Sequence, residues 1–396
     1  MELLAPAGDW ESLRAGIEAK ADAIYFGIKK LNMRVKTKNF EFSDIKKIST
    51  ICHKNKIKCY LTLNTIIFDN ELKDIDKIIK KAKESQIDAI ICWDLAVISI
   101  AKKYKIPIHL STQASVANSK SLELYKKLGI KRVILARELS LKQIKNIKTD
   151  LELETFVHGA MCYAISGRCF FSQELYNESA NRGKCIHPCR RSYKLIDLET
   201  QKEIQVKNNL FLSSKDLCTL PFLPLLINSN ITSFKIEGRS KSPEYVYAVT
   251  KTYREAIDSY NNDPNEFKKE LPILMERLNS VYNRKFSQGF YLDTPNKDDI
   301  TTYSGNASKT KKIEIGKVTN YFNKQTAAEI HLISKSLKLN DTILITGTTT
   351  GVLTQQVTSI QKNNKPITIA KKGEKIALLT DKKIRKGDKV FLLLNR

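Results

Sequence analysis

Residues 1–27, MELLAPAGDWESLRAGIEAKADAIYFG, contain the unit from which the fold is predicted. Apolar residues run together in Glu2–Ala5 and in Ala23–Gly27, and short runs bounded by Gly, Pro or polar residues are typical of buried strands. Between them, Trp10–Lys20 carries apolar residues three and four positions apart, as one face of a helix does, and Asp9 stands where a helix N-cap belongs. The stretch is therefore predicted to form a strand, a helix and a second strand.

The same alternation continues to about residue 255. Six further strands are predicted at Lys58–Leu63, Ala89–Trp93, Ile108–Thr112, Arg132–Ala136, Leu153–His158 and Ser233–Gly238. Helical patterns accompany them at Ser43–Lys54, Asn70–Ser85, Leu95–Tyr104, Ser119–Leu128, Ser140–Ile147 and Pro243–Tyr260. Ser43 and Ser140 are predicted N-caps, and Pro243 suits a first helical position. Eight strands alternating with helices predict a closed (β/α)8 barrel, with a doubly wound open sheet as the alternative.

The predicted barrel domain, residues 1–260, contains one long interruption between its seventh and eighth strands. This cysteine-rich excursion covers residues 159–230. Such a long insertion after the carboxyl end of a barrel strand is expected to be functional, because that end carries the active site in barrel enzymes.

Two further regions follow the barrel. Residues 261–311 are predicted to form a helical linker region with one helix at Leu271–Tyr282, entered through the linker-like sequence NNDPNEFKKE. Residues 312–396 contain short alternating strands separated by Gly and Asn-Asp turns at roughly ten-residue spacing, which predicts a small β-barrel.

Composition limits the classes of function. The 396-residue chain is 42% hydrophobic and carries a net charge of +25. This surplus can attract nucleic-acid phosphates, although lysine-rich solvated faces are the simpler explanation. No apolar run reaches the roughly 20 residues of a spanning helix and the N-terminus has no signal-peptide pattern, so a cytoplasmic protein without a membrane partner is expected. In that reducing compartment, the eight cysteines indicate metal ligation or catalysis before disulfides.

Four cysteines lie within the excursion, at Cys162, Cys169, Cys185 and Cys189. Thiolates are soft ligands for zinc or iron–sulfur clusters, and four can converge on one centre if the loop folds back. Zinc sites usually show closely paired cysteines, and only the second pair, CIHPC, comes near that spacing. An iron–sulfur cluster, a zinc site and unligated thiols all remain open, and Cys218 could replace one of the four.

Polar residues at predicted strand ends would point into one pocket. They are Asn64, Gln113, Arg137, Lys235, Glu237 and Arg239, together with His158 at the end of strand seven. His158 and Glu237 are candidates for proton handling, and the cations for binding anions. A core histidine and a salt-bridged barrel rim are the structural alternatives. The chain has no H-E-x-x-H and no G-x-S-x-G motif, so no zinc protease or serine hydrolase site can be placed.

Several stretches closely resemble peptidase family U-32, the collagenase-like family. ETFVHGAMCYAISGRCFFS, residues 154–172, matches its signature except at Phe171, where an aliphatic residue is more usual. The opening of the chain, LNMRVKTKNF, STQASVAN, NRGKCIHPCR, SSKDLC and SFKIEGRSKSPEYV resemble its other blocks. The likeness covers roughly residues 1–260, and the C-terminal strands look like the small barrel, similar to elongation factor Tu domain II, that some members carry.

This resemblance implies RNA modification in place of peptide hydrolysis, with the tRNA uridine hydroxylation branch as the nearest. It implies 5-hydroxyuridine at the tRNA wobble position, a [4Fe–4S] cluster on Cys162, Cys169, Cys185 and Cys189, and prephenate as the carboxylate co-substrate. Arg190 and Arg191 join the expected anion-binding cations. Members acting on rRNA cytidine, or as a pair in quinone synthesis, leave the RNA and a paired family member open. A U-32 peptidase and a non-catalytic RNA-binding or assembly protein are the rival interpretations.

Overall fold

A computed structural model describes residues 1–204 and 209–396. Residues 205–208 of the predicted excursion lie outside the described residues. The strands up to residue 287 are β1 (Glu2–Ala7), β2 (Ala23–Phe26), β3 (Lys58–Thr62), β4 (Ala89–Cys92), β5 (Ile108–Leu110), β6 (Arg132–Ile134), β7 (Glu152–Ala160), β8 (Leu195–Ile196), β9 (Glu203–Ile204), β10 (Asp216–Cys218), β11 (Ser233–Ile236) and β12 (Phe286–Ser287). Strands β1–β7 pair in sequence order, all parallel, and β11 pairs with both β1 and β7. This closes an eight-stranded parallel barrel and confirms the predicted architecture over the open sheet.

Most helices cover the outside of the barrel, whereas the helix at Phe171–Tyr176 lies at its mouth. The helices are α1 (Trp10–Glu18), α2 (Ile45–Lys54), α3 (Leu72–Glu84), α4 (Leu95–Lys103), α5 (Ser119–Lys127), α6 (Leu141–Asn146), α7 (Phe171–Tyr176), α8 (Leu223–Ile227), α9 (Pro243–Asn262) and α10 (Pro264–Ser280). Three-residue 3-10 turns lie at Phe42–Asp44, Asp69–Glu71, Thr112–Ala114, Ala180–Arg182, Pro188–Arg190, Leu220–Phe222 and Lys297–Asp299. The predicted helices are therefore present, with ends that shift by a few residues.

Helix caps explain most of these ends. The Asp9 carboxylate accepts the backbone N–H of Ser12 at 2.9 Å, and Ser140 forms a capping box, as predicted. Ser43 is not the N-cap of α2, because a 3-10 turn precedes that helix and Ser43 lies inside the turn. The linker predicted at NNDPNEFKKE is also wrong: Asp263 caps α10 and Pro264 occupies its first turn. Proline at that position needs no backbone N–H, so the helix begins there.

A buried ionic layer fills the barrel interior. Glu154 on β7 is fully buried and accepts hydrogen bonds from Lys235 Nζ at 2.8 Å and from Arg132 Nη1 at 3.1 Å. Arg132 also pairs with Glu2 and Glu152. Since charges are stable in a protein interior only when paired, this layer holds four neighbouring strands in one register. It also forms the base on which the candidate site is built.

The C-terminal region folds as an antiparallel sheet with its own core. Its strands, with one short pair beside it, are β13 (Thr310–Phe322), β14 (Ala327–Leu332), β15 (Leu337–Lys338), β16 (Thr342–Gly347), β17 (Gly351–Gln356), β18 (Gln361–Lys362), β19 (Lys365–Pro366), β20 (Ile369–Ala370), β21 (Lys375–Leu379) and β22 (Lys389–Asn395). Eight of them pair in the order β17-β16-β22-β13-β14-β21-β18-β19. Leu344 and Val352 pack into the core of the barrel domain. Closure into a small barrel and the predicted domain boundaries stay predictions.

Within residues 1–204 and 209–396, none of the helices combines the length and apolar character that crossing a lipid bilayer requires.

Candidate active site

A cavity of about 400 Å³ lies over the carboxyl ends of the barrel strands. Its floor contains side chains from the strands and the loops that follow them, and its roof comes from the chain between β7 and β11. The thiols of Cys162, Cys169, Cys185 and Cys189 all line it. The structure therefore brings the four predicted ligands to one place, at the end of the barrel where such folds carry their active sites.

The four thiols interact with one another. Burial raises the pKa of Cys189, and the charges of Cys162, Cys185 and Cys169 raise it further, although Arg190 opposes them. Cys185 Sγ accepts the backbone N–H of His187 at 3.4 Å and the Ser172 hydroxyl at 3.8 Å. Donors aimed at a sulfur stabilise its thiolate form, which is the form that binds metals.

The roof is fastened to the barrel at several points. Gly183, with φ of +79°, lies so close to the carbonyl oxygen of Asn32 that a Cβ would collide with it. The Arg182 guanidinium pairs with Glu71 and donates to the Ile66 carbonyl. Because the left-handed backbone and the close approach both require glycine at position 183, the RGKC sequence docks the cysteine-bearing loop on the loop that follows β2.

The cavity wall is strongly cationic. Seven cations line it, namely Arg34, Arg137, Arg190, Lys235, Arg239, Lys241 and Arg284. Among the described lining residues, Glu237 is the sole carboxylate. The arrangement favours an anionic ligand, since several cations around one cavity concentrate a positive potential.

Glu237 is held in its ionised form. Its Oε1 accepts Arg34 Nη2 at 2.9 Å. Burial raises the pKa of Glu237, but the charges of Arg34, Arg239 and Arg137 outweigh burial and hold this pKa below its usual value. An ionised carboxylate accepts protons and cannot donate one, so Glu237 suits a base better than an acid.

Lys235 and Arg239 lie in the floor, as their strand-end positions predicted. Lys235 Nζ pairs with Glu154 and lies 4.1 Å above the Tyr25 ring. Arg239 Nη1 donates to Asn32 Oδ1 at 3.0 Å and to Thr62 Oγ1 at 2.8 Å. Lys235 thus belongs to the ionic layer as well as to the cavity, which is the salt-bridged alternative considered above.

Asn64 and Gln113 line the cavity side by side. Asn64 Oδ1 accepts the Met33 N–H at 3.1 Å and its amide donates to Ser111 Oγ at 3.5 Å. Ser111 in turn donates to Gln113 Oε1. These bonds orient both amides within the wall.

Of the other predicted anion-binding residues, the structure places Arg137 and Arg190 in the cavity and Arg191 outside it. Arg137 stacks on Phe156 at 4.6 Å and donates to the Ala160 carbonyl at 3.0 Å, while its Nε is buried without a partner. Arg190 donates to the Ser214 carbonyl at 2.7 Å. Arg191 instead lies over Tyr176, because the 3-10 turn at Pro188–Arg190 ends before it and turns its side chain away.

His158 does not reach the cavity, contrary to its predicted role in proton handling. It is buried among aromatic rings, with Nδ1 3.4 Å from the Tyr253 hydroxyl and its ring 5.4 Å from that of Phe286. Strand alternation from Phe156 would point it inward, but the register between β7 and β11 shifts after Phe156. Such a bulge inserts one residue and turns the next side chain to the other face.

We expect His158 to make the fold acid-sensitive. Burial, with a smaller effect of Lys241, lowers the pKa of His158 to about 3. In the unfolded chain His158 takes up a proton near pH 6.5, whereas in the folded chain it stays neutral until about pH 3. The free energy of unfolding is therefore unaffected by His158 above pH 6.5 and falls as the pH drops toward 3. Between pH 7 and pH 5 the wild type should lose about 2 kcal/mol more than His158→Phe, measured by urea unfolding. Parallel losses in both proteins would contradict this.

Three of the seven cavity cations were not singled out from the sequence as site residues. Arg34, in the loop after β2, pairs with Glu237. Lys241 lies with Nζ 3.4 Å from the Tyr282 ring centre, and Arg284 also faces that ring. Arg34 and Lys241 stand in the family-like stretches LNMRVKTKNF and SFKIEGRSKSPEYV, which were the available signals. Cys218, the proposed alternative ligand, lies in the core with Tyr253 as its hydrogen-bond donor.

Comparisons with known proteins identify the family of this chain. The model of peptidase family U32 matches residues 8–301. A protein described as an uncharacterized protease from Methanocaldococcus jannaschii is 44% identical over 99% of this chain and 98% of its own. A collagenase from Porphyromonas gingivalis is 37% identical over 98% and 97%, and tRNA hydroxylation protein P1 from Bacillus subtilis is 34% identical over 81% and 77%. The chain belongs to peptidase family U32.

Proposed function

We propose that this protein is an iron–sulfur RNA-modifying enzyme that hydroxylates tRNA wobble uridine to 5-hydroxyuridine. The observation that carries the proposal is the cavity itself, in which four thiols face seven cations at the carboxyl end of the barrel. A tRNA hydroxylation protein among the relatives supports RNA hydroxylation at the level of the family.

The donor set suits a [4Fe–4S] cluster better than zinc. A tetrahedral zinc ion with 2.3 Å bonds holds its sulfurs about 3.8 Å apart. Among the described residues, no three of these four thiols come within 4.8 Å of one another. The wider spacing, with hydrogen bonds to Cys185 Sγ, favours a larger centre held by Cys162, Cys169, Cys185 and Cys189. Such a cluster, when bound, supplies one-electron chemistry at the cavity.

The cations would bind a small carboxylate co-substrate, for which we propose prephenate. Burial lowers the pKa of Lys241 to about 7, with Asp216 opposing the shift and Arg284 adding to it. Among the described residues, no carboxylate lies within ion-pair distance of Lys241. A bound carboxylate would supply that partner, and Arg137 still has a free Nε to donate.

The RNA would bind through its phosphates to the cationic surface, and the target base would be flipped into the cavity, as chemistry on a base generally requires. Inside, the ionised Glu237 would accept a proton from the reacting base or from the oxygen donor. Arg34 holds the Glu237 carboxylate in place, so the contribution of Arg34 is to position the proton acceptor.

A peptidase is the second candidate, because two relatives from Porphyromonas gingivalis are named collagenases. The cavity offers little for peptide hydrolysis, since its described lining contains a single carboxylate and the chain has neither an H-E-x-x-H nor a G-x-S-x-G motif. Degradation of gelatin by metal-free protein, with tRNA modification intact in its absence, would favour the peptidase. A non-catalytic RNA-binding protein would be favoured by two observations together. The protein would bind RNA and lose it at high salt, and no modified nucleoside would depend on the gene.

Nucleoside mass spectrometry of tRNA and rRNA tests the proposal. We expect cells without the gene to lose 5-hydroxyuridine from tRNA, and wild-type protein to restore it. Glu237→Gln should restore it at least about 100-fold more slowly, because proton transfer by a positioned group contributes roughly that factor. Lys120→Gln is the matched control, since Lys120 is exposed in a pair with Glu123.

An unchanged nucleoside profile in the deletion strain would overturn the proposed function. Loss of a hydroxylated cytidine from rRNA, with tRNA unchanged, would contradict the tRNA assignment and leave RNA hydroxylation in place.

A further inference from the structure

A second cluster of metal-binding side chains lies at the opposite end of the barrel from the cavity. His53 is in the last turn of α2, Cys59 is near the start of β3, and Asp88 immediately precedes β4. The Cys52 thiol, also on α2, neighbours the Cys59 thiol but lies outside the group of three donors that stand within 4.8 Å of one another. The cluster thus combines one sulfur, one imidazole and one carboxylate from three consecutive segments of the barrel.

The donor atoms are already close to ligand spacing. His53 Nε2 lies 2.9 Å from Asp88 Oδ2, Cys59 Sγ lies 3.5 Å from the same oxygen, and the sulfur and the imidazole nitrogen are 3.9 Å apart. Tetrahedral zinc with ordinary bond lengths separates such ligands by about 3.3 to 3.8 Å. Each distance is within about half an ångström of that range, so binding needs only small side-chain movements.

The surroundings also suit a bound cation. Ser49 Oγ lies 3.4 Å from His53 Nδ1, on the ring nitrogen opposite the cluster, as an orienting partner of a metal-bound histidine does. The Cys59 backbone N–H donates to Asp88 Oδ2 at 2.8 Å and fixes the carboxylate. The Cys59 thiol is fully buried, whereas the His53 and Asp88 side chains are 36% and 31% exposed. The ion therefore has an entry path from solvent.

We infer that His53, Cys59 and Asp88 form a site for one thiophilic divalent cation, with zinc as the representative ion. The chemistry of the set supports this assignment, because zinc takes mixed sulfur, imidazole and carboxylate ligands, and solvent can supply the fourth position of this partly exposed site. Bound there, the ion clamps the end of α2 to the starts of β3 and β4. Its location at the amino end of the strands fits stability and not catalysis.

Without a metal, the same residues would form only a hydrogen-bonded network around Asp88. The two cases differ in how Ser49 matters. In a network, Ser49 would not change metal uptake, whereas in a metal site Ser49 orients the His53 ligand. The site does not depend on the proposed function, and a failed nucleoside assay would leave it standing.

Zinc uptake by the full chain tests the site. The wild type and each variant would be equilibrated with buffered zinc, and the bound zinc per chain measured by elemental mass spectrometry. We expect the wild type to hold about one zinc more than His53→Gln, Asp88→Asn or Cys59→Ser. Any zinc on the cavity thiols is common to all these proteins and cancels in the comparison. Ser49→Ala should weaken the affinity by about 10- to 100-fold.

Cys92→Ala is the matched control, because Cys92 is a buried thiol on the neighbouring strand outside the cluster. Its zinc content should equal that of the wild type. His53→Gln keeps the test decisive if a buried-cysteine variant misfolds, since His53 is partly exposed. Zinc should also raise the melting temperature of the wild type by more than that of His53→Gln, because zinc on the cavity thiols stabilises both proteins alike. Equal zinc content and equal melting shifts in these two proteins would overturn the inference.

Discussion

Cys189→Ser loses its bound iron and its tRNA modification activity together, whereas Cys218→Ser keeps both: this is the result expected if the four cavity thiols hold the cluster. Cys189 lines the cavity with the other three cysteines. Cys218 lies in the core beside Tyr253 and is not among the described residues that line the cavity, so its thiol is kept away from the other four. Loss of one ligand should cost more than the 10- to 100-fold that loss of an outer contact costs.

Anaerobic purification followed by iron, sulfide and zinc analysis provides the measurement. The wild type should contain about four iron atoms per chain, the content of one such cluster. If Cys218→Ser lost the iron and Cys189→Ser retained it, the ligand set would be wrong. If the anaerobically purified wild type contained zinc and no iron, the four thiols would form a zinc site and hold no iron–sulfur cluster.

Glu154→Gln should destabilise the whole barrel by about 3–5 kcal/mol, which is the usual cost of removing one partner from a buried ion pair. Glu154 is fully buried, and its carboxylate is the partner of Lys235 and of Arg132. The amide leaves Lys235, whose side chain is only 6% exposed, without a countercharge. Urea unfolding followed by circular dichroism should show a lower midpoint with an unchanged slope.

Glu123→Gln gives the matched control, because Glu123 forms an ion pair in which its side chain is 59% exposed. Exposed pairs contribute about 0–1 kcal/mol, so the control midpoint should barely move. A Glu154→Gln protein with wild-type stability would show that the interior layer is hydrated and does not hold the strands together.

The fold was predictable because its determinants are local. Apolar runs marked the strands and three-to-four spacing marked the helices, and neither signal needs distant residues. The missed start of α10 was also local: Asp263 and Pro264 form a cap and a first helical turn, although the same residue types occur in linkers.

The site was predictable in part. Cys162 and the other three thiols were found because cysteines in a reducing compartment are informative by type alone. Arg34 and Lys241 were not singled out, because one cation among 67 Lys and Arg residues carries no signal until its neighbours are known. The direction of the His158 side chain was predicted wrongly, because β7 contains a one-residue bulge that turns this side chain to the other face. The alternation of apolar and polar residues along the strand gives no sign of that bulge.

The amino-acid sequence by itself determined the βα alternation, the count of eight barrel strands and the position of the cysteine-bearing segment after the seventh, since these depend on periodicity along the chain. Only the tertiary structure decided which cations face the cavity, which pair with Glu154 and Glu237, and that His53, Cys59 and Asp88 meet at the far end. The physical reason is that charge pairing and ligand convergence depend on distances between residues far apart in sequence. Strand register, helix packing and a single bulge set those distances.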